Sequence, residues 1–109
     1  MMYVDFKAGG KEYKLRLDTR STIALEKQLG CNPLAIFGAG DEMPQITTLV
    51  QVLYCSMLTL NHGISLETTY NIFDEYLEDG NSATDFLSVV IDVFKVSGLI
   101  KSDKVTEKN

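Results

Sequence analysis

Apolar and polar residues alternate over the first 17 positions, on both sides of a Gly9-Gly10 pair. A two-residue turn at these glycines, which tolerate positive φ, pairs residues 2–7 with residues 12–17 in antiparallel register. One face of this predicted hairpin is apolar. Its cross-strand pairs are Phe6 with Tyr13, Val4 with Leu15, and Met2 with Leu17. A lone hairpin is marginally stable in water, so we expect this face to pack on helices.

An uncharged stretch at positions 43–66 predicts the central helix of the domain. Its apolar residues recur at helical spacing; they are Ile46, Leu49, Val50, Leu53, Tyr54, Met57, Leu58 and Leu60. Pro44 suits the first helical position, and Asn61-His62-Gly63 ends the helix. The other side is polar without charge, unlike the solvent-facing side of a typical surface helix. Its residues are Thr47, Thr48, Gln51, Ser56 and Thr59. We therefore expect this helix to be packed on more than one side.

Two helical segments are predicted before the central helix. Asp18 and Thr19 both suit the N-cap of a helix over 20–29, which Gly30 ends. The inward candidates of this helix are Ile23, Ala24, Leu25 and Leu29. Asn32 and Pro33 begin a short helical turn before a loop at 38–42. The turn is expected to dock Leu34, Ile36 and Phe37.

Two more helices are predicted after the central helix. Ser65 caps a helix over 66–78, and Ser82 caps a helix over 83–96 with Asp85 as its capping-box partner. The apolar stripe of the first is Leu66, Tyr70, Phe73, Tyr76 and Leu77. The second is apolar on most sides, and Gly98 ends it so that Leu99 folds back on the last turn.

These elements predict one α+β domain over residues 1–100, followed by a polar, disordered tail at 101–109. The N-terminal antiparallel β-hairpin packs on a small bundle of about four helices, one of them short. A chain of 109 residues can bury enough surface to fold without a disulfide or a metal.

Composition excludes some classes of partner. The formal net charge is −5, which argues against nucleic acid because phosphate contacts need a basic patch. The apolar run of the central helix is too short, and too interrupted by Gln51 and hydroxyl side chains, to cross a membrane. No basic segment followed by an apolar run opens the chain, so no secretory signal is expected.

The sequence predicts no catalytic, cofactor-binding or metal site. Cys31 and Cys55 stand 24 positions apart without a CxxC motif, and His62 is the one histidine. We interpret both cysteines as reduced thiols that pack as small hydrophobic side chains, and His62 as a loop residue.

Acidic residues gather near the end of the helix at 66–78. Residues 61–80 carry five acidic side chains and no basic one, and four of them are Asp74, Glu75, Glu78 and Asp79. This is the unfavourable end of the helix dipole for negative charge. The cluster is either a solubilising face or a docking strip for a basic partner segment.

Three valines lie off the principal apolar stripes. Val52, Val89 and Val96 are candidates for a partner-binding groove or a self-association face, with core packing as the alternative.

Several segments together resemble the small tail assembly chaperones of long-tailed bacteriophages and of prophages in Gram-positive bacteria. These segments are KEYKLRLD in the hairpin, RSTIALEKQLGCNPLAIF, LVQVLYCSML after Pro44, and FLSVVIDVFKVSGLI. The resemblance spans residues 2–100 and rests on structural rather than catalytic motifs.

The resemblance implies a non-catalytic protein of the host cytoplasm that is absent from the mature virion. Such chaperones bind the long, helical tape measure protein and help recruit tail tube subunits. The alternatives are a structural tail or head-completion protein that stays in the virion, and a small regulatory protein. Net acidity disfavours a DNA-binding regulator, and the want of an acid-base pair disfavours an enzyme.

Overall fold

The hairpin and the helical bundle expected from the pattern both form, which confirms the α+β class. The computed structural model describes residues 2–37 and 43–101. Its elements are β1 (Val4–Ala8), β2 (Lys11–Leu15), α1 (Thr19–Leu29), a 3₁₀ helix (Pro33–Phe37), α2 (Ile46–Met57), α3 (Leu66–Glu78) and α4 (Ala83–Val96). The predicted loop at 38–42 and all but the first residue of the predicted tail lie outside the described residues.

The register of the hairpin is as predicted. Val4 pairs with Leu15 and Phe6 with Tyr13 on the apolar face, and Asp5 pairs with Lys14 on the other. The predicted pair of Met2 with Leu17 is wrong. Met2 is 67% exposed, and the chain leaves the sheet after Leu15. It does so because the Arg16 backbone N–H donates to the Ser56 carbonyl on α2, at 2.9 Å.

Side-chain caps fix the starts of α1, α3 and α4 where the sequence places them, whereas the predicted end of the central helix after Leu60 is wrong because α2 ends at Met57. Asp18 and Ser21 form a capping box at α1, and Ser82 and Asp85 form another at α4. The Thr68 N–H donates to Ser65 Oγ at 3.0 Å at the start of α3. These bonds satisfy amide groups that the helix itself leaves without partners.

α2 is the centre of the domain, since it contacts the other three helices and β2. The expected packing on more than one side is confirmed, because the buried residues, from Val50 through Leu49 to Cys55, span about 220° around the helix axis. The placement of Pro44 at the first helical position is wrong. Gln45 has the extended backbone of an N-cap, and its carbonyl accepts the Leu49 N–H, so the helix begins at Ile46.

Four aromatic rings join the hairpin to the helices. The Phe86 centroid lies 5.7 Å from that of Phe6, 5.4 Å from that of Phe73 and 5.7 Å from that of Tyr76. All three pairs are edge-on, the arrangement favoured by aromatic quadrupoles. Through this cluster the apolar face of the hairpin packs against α3 and α4.

Some predicted inward faces are wrong by a rotation about the helix axis. On α1, Leu25 is buried with Ser21, whereas Ile23 is exposed because it lies about 200° around the axis from Leu25. On α3 the buried arc includes Thr69 and Ile72. Tyr70 and Leu77, which we predicted to face inward, lie beside that arc and are exposed. In the 3₁₀ helix Ile36 packs on the core, but Leu34 is exposed.

Candidate interaction surface

Cys55 is a packing residue. Its side chain is fully buried in the core, and burial raises the pKa of the thiol to about 11. A thiol with this pKa stays protonated near neutral pH, so it is a poor nucleophile. The interpretation of Cys55 as a small hydrophobic side chain is confirmed.

The packing role predicted for Cys31 is wrong, because its side chain is exposed. Gly30 ends α1 in the left-handed conformation with φ 71°, and the chain then turns so that Pro33 rather than Cys31 is buried. His62 is exposed in the turn after α2, as its interpretation as a loop residue requires.

The described residues contain neither a candidate metal site nor a helix that could span a membrane. No group of three His, Cys, Asp or Glu side chains within residues 2–37 and 43–101 could hold a metal ion. None of the helices in the same ranges is long and apolar enough to cross a membrane.

The acidic cluster on α3 divides into two pairs that face different neighbours. Glu75 and Asp79 lie at the hairpin turn, where the Gly9 N–H donates to Asp79 Oδ2 at 2.9 Å. A Cβ atom on Gly9, whose φ is 59°, would lie only 2.7 Å from Glu75 Cδ. The positive φ therefore favours glycine at this position, and a larger residue would also displace the flexible end of the Glu75 side chain.

The Glu75 carboxylate also acts on the hairpin electrostatically. The pKa of Tyr13 is raised, first by burial of the phenol and then by the negative charge of Glu75. Asp79 thus supports the hairpin turn through its hydrogen bond, and Glu75 lies beside the turn. The sequence alone did not indicate this contact with the hairpin, because all four acidic residues were treated as one cluster.

Asp74 and Glu78 belong to another side of α3. They are four positions apart and exposed, so they share a side of the helix about one turn from each other. Tyr70 lies four positions before Asp74 on the same side. Asp74 and Tyr70 line a groove where α3 packs against α2.

This α2–α3 groove is built from both helices. Its lining residues are Ile46, Thr47, Val50 and Gln51 of α2 with Tyr70, Phe73 and Asp74 of α3. Val50 and Phe73 form the buried floor, while Ile46 and Tyr70 are 52% and 47% exposed. The groove has a volume of about 280 Å³, slightly below the range of about 300–1,000 Å³ found for small-molecule sites. Its size suits one or two side chains of a docked protein.

One polar atom of the groove is unusual. Gln51 Oε1 is buried and has no hydrogen-bond partner among the described residues. A buried acceptor without a partner costs about 1–3 kcal/mol, and most such groups in native proteins are satisfied. The uncharged polar side of α2 thus includes one buried acceptor for which the described residues provide no partner.

The three candidate valines are placed differently from one another. Val52 is 1% exposed and belongs to the core, so it forms no part of an accessible surface. Val89 and Val96 are half-buried and seven positions apart on one side of α4. Val89 packs on the core, and the Val96 carbonyl accepts a hydrogen bond from Arg16 Nη1 at 2.8 Å.

Sequence reasoning missed the exposed apolar residues of the groove. Ile46 and Tyr70 were assigned to inward stripes because they are apolar at helical spacing. A weak signal was available, since Tyr70 sits four positions before Asp74 in an arc that ends in acidic residues. Charged residues mark the solvent-facing side of an amphipathic helix, so a residue in line with them lies near that side.

Comparison with known proteins identifies a family but no characterised relative. A family model described as "Family of unknown function (DUF6096)" matches residues 4–109. No curated protein matches the chain. No solved structure matches it either.

Proposed function

The chain belongs to the DUF6096 family, whose function is unknown, and we propose that it is a non-catalytic tail assembly chaperone of a long-tailed phage or prophage. In this role it binds the tape measure protein in the host cytoplasm and keeps it soluble. It then helps recruit tail tube subunits and is left out of the mature virion. Two observations support this role: the resemblance of residues 2–100 to such chaperones, and the α2–α3 groove on the surface of the domain.

The α2–α3 groove is the observation that carries the proposal. A chaperone for a helical client needs an apolar groove on a domain that is otherwise polar outside. Ile46 and Tyr70 supply exposed apolar surface beside a buried floor of Val50 and Phe73. Asp74 in the groove and Glu78 one turn further along α3 favour solubility of the free protein.

The chemistry of the nucleophile candidates is consistent with a binding role. Cys55 is buried and protonated, and Cys31 and His62 lie in separate exposed segments before and after α2.

Co-expression tests the proposal. The client is the long helical protein encoded next to this chain in a tail gene cluster, and the measurement is its soluble fraction with and without the chain. We expect a several-fold larger soluble fraction with the chain present, and co-purification of the two proteins. An unrelated acidic domain of similar size is the control. Equal solubility with the chain and with the control would refute the chaperone role.

Mass spectrometry of purified particles separates the chaperone from a structural tail or head-completion protein. A chaperone is present in lysates of assembling cells and missing from finished particles. Recovery of the chain in particles at a fixed ratio to the tube protein would assign it to the virion instead.

A further inference from the structure

We propose that the α2–α3 groove is the docking site of a basic amphipathic helix of the partner. An apolar side chain of that helix inserts between Ile46 and Tyr70, and its Lys or Arg residues lie against Asp74 and Glu78. This inference rests on the proposed function for the biological client and its helical form, whereas the apolar and basic character of the occupant follows from the groove and its charges.

The spacing of residues on α3 sets the pattern that the occupant must carry. Tyr70, Asp74 and Glu78 are at intervals of four, so they form a row along one side of α3 with about 6 Å of rise between neighbours. A helix that binds along this row contacts the apolar ring of Tyr70 first, and then the negative charges of Asp74 and Glu78 over the next two turns. It therefore needs apolar anchors at i, i+3, i+4 and i+7 with basic residues beside them.

Gln51, which also lines the groove, favours an occupant that carries a hydrogen-bond donor. Its Oε1 is buried without a hydrogen-bond partner in the described part of the chain, while the residue as a whole is half-buried. The terminal torsion of glutamine is soft, so the amide can turn toward an incoming donor. A Lys, Arg or Gln side chain of the docked helix would supply that donor, and binding would remove the desolvation cost of the free state.

Charge complementarity favours this occupant over a second copy of the chain. The chain carries a net charge of −5, and a symmetric dimer through the groove would place Asp74 of both copies in one interface. Like charges facing each other across an interface oppose association, whereas a basic helix is attracted to the same residues. The volume of about 280 Å³ also fits side chains better than a drug-sized ligand.

The direct test is a titration of the purified chain with synthetic helical peptides. The probe is a peptide of about 20 residues with Leu at i, i+3, i+4 and i+7 positions and Lys elsewhere, long enough to be helical when bound. Its two comparison peptides replace all Lys by Glu or scramble the Leu positions. We expect the Leu–Lys helix to bind, with affinity that falls as salt rises, and both comparison peptides to bind at least about tenfold more weakly.

Matched variants of the chain locate the binding surface. Asp74→Lys is compared with Asp92→Lys, because both replace an exposed aspartate of a helix and change the net charge equally. Tyr70→Ser is compared with Ile23→Ser, because both remove an exposed large apolar side chain. We expect Asp74→Lys and Tyr70→Ser each to weaken binding about five- to tenfold, and the two control variants to change it less than about twofold.

Three results would overturn the proposal. They are failure of the Leu–Lys helix to bind, equal binding of the Leu–Glu helix, and equal effects of the groove and control variants. A concentration-dependent increase in solution mass that Tyr70→Ser abolishes would also overturn it, because the groove would then be a self-association face. Circular dichroism of each variant confirms that the fold is retained.

The same variants separate this inference from the chaperone role. If the wild-type chain solubilises the tape measure protein and Tyr70→Ser and Asp74→Lys do so equally well, the groove is refuted and the chaperone role stands. If the wild-type chain has no effect on the tape measure protein but the peptide results hold, the chaperone role is refuted and the groove stands.

Discussion

The two ends of α2 differ in how the domain completes them. At the C-terminal end, the Ser56 carbonyl accepts the Arg16 N–H at 2.9 Å, and Ser56 Oγ donates to the Leu53 carbonyl at 3.0 Å. Asn61 Nδ2 donates to the Met57 carbonyl at 3.0 Å and to the Lys14 carbonyl at 2.7 Å. The hairpin thereby satisfies polar groups at the end of the helix.

The N-terminal end of α2 has no such support within the described residues. The side chain of its N-cap, Gln45, makes no capping hydrogen bond to any of them, and Ile46 is the most exposed apolar residue of the helix. Gln51, one turn further on, carries a buried oxygen for which residues 2–37 and 43–101 provide no partner. The two ends of one uncharged helix thus differ: the C-terminal end is hydrogen-bonded to the chain around the hairpin, whereas the N-terminal end exposes Ile46.

Truncation of an apolar residue at each end should give the largest contrast. Met57 is fully buried, so Met57→Ala should lower the free energy of unfolding by about 2–5 kcal/mol. Ile46→Ala removes a half-exposed side chain and should change it by less than about 1 kcal/mol. Urea unfolding followed by circular dichroism measures both. Equal losses would show that the N-terminal end is also part of the core.

Removal of the cap at the start of α1 should have the next largest effect on stability, because this cap is also bonded to the segment that follows the C-terminal end of α2. Asp18 accepts the Ser21 N–H at 2.8 Å and Thr59 Oγ1 at 3.1 Å, which joins α1 to the segment after α2. Asp18→Ala should therefore cost about 1–2 kcal/mol. Thr59→Ala, which removes only the second bond, is the control and should cost clearly less.

The same aspartate makes this loss dependent on pH. Hydrogen bonds from Ser21, backbone first and then side chain, lower the pKa of Asp18 against the opposing effect of burial. The contribution of the charged cap is fully present above the usual pKa of aspartate, about 3.9, and is lost as pH falls through the lower pKa of the folded state. The difference in stability between wild type and Asp18→Ala should be constant from pH 5 to 7 and shrink below pH 4. A constant difference down to pH 2 would contradict a charged cap.

Replacement of Gln51 should have a smaller effect of opposite sign. Gln51→Leu removes the buried oxygen and should raise the free energy of unfolding by about 1 kcal/mol. The variant should nevertheless bind the Leu–Lys peptide no better than wild type, because the donor of the peptide loses its acceptor. Loss of stability in Gln51→Leu would mean that the amide is satisfied in solution, and the contrast between the two ends would weaken.

A better N-cap should produce the smallest change. Gln45 already has the extended backbone of an N-cap residue, with φ −66° and ψ 152°. Gln45→Ser supplies the missing side-chain acceptor and should stabilise the domain by about 0.5 kcal/mol. Ser82→Gln at the start of α4, where a capping box exists, is the reverse change and should destabilise it by about 1 kcal/mol. Thermal unfolding of both variants checks the difference in sign.

The hairpin register and most helix ends were predictable because local chemistry determines them. The Gly9-Gly10 turn fixes which residues are opposite each other, and a slip by one position would turn Phe6 and Leu15 to the wrong face. Ser65, Ser82 and Gly30 act within one turn of their own helix ends. Such signals need no knowledge of the tertiary partners.

The inward faces of the helices and the groove depended on those partners. Tyr70 and Ile72 are both apolar, and only the positions of α2 and β1 decide which one is buried. The division of the acids likewise follows from the hairpin turn, which receives Asp79 but not Asp74. Neither arrangement is determined by the local sequence, so neither could be predicted from the spacing of apolar residues.

The junction between the first and last elements has a consequence for synthesis of the chain. Arg16 Nη1 donates to the Val96 carbonyl, and the Leu17 N–H donates to Ser97 Oγ at 2.9 Å, across 80 positions of sequence. At a translation rate of about 5–20 residues per second, residues 96 and 97 follow the hairpin by roughly 4–16 s. Until Phe86 of α4 has been synthesised, its ring is not available to cover Phe6 on the apolar face of the hairpin. A nascent chain stalled before residue 97 therefore lacks the contacts that close the domain.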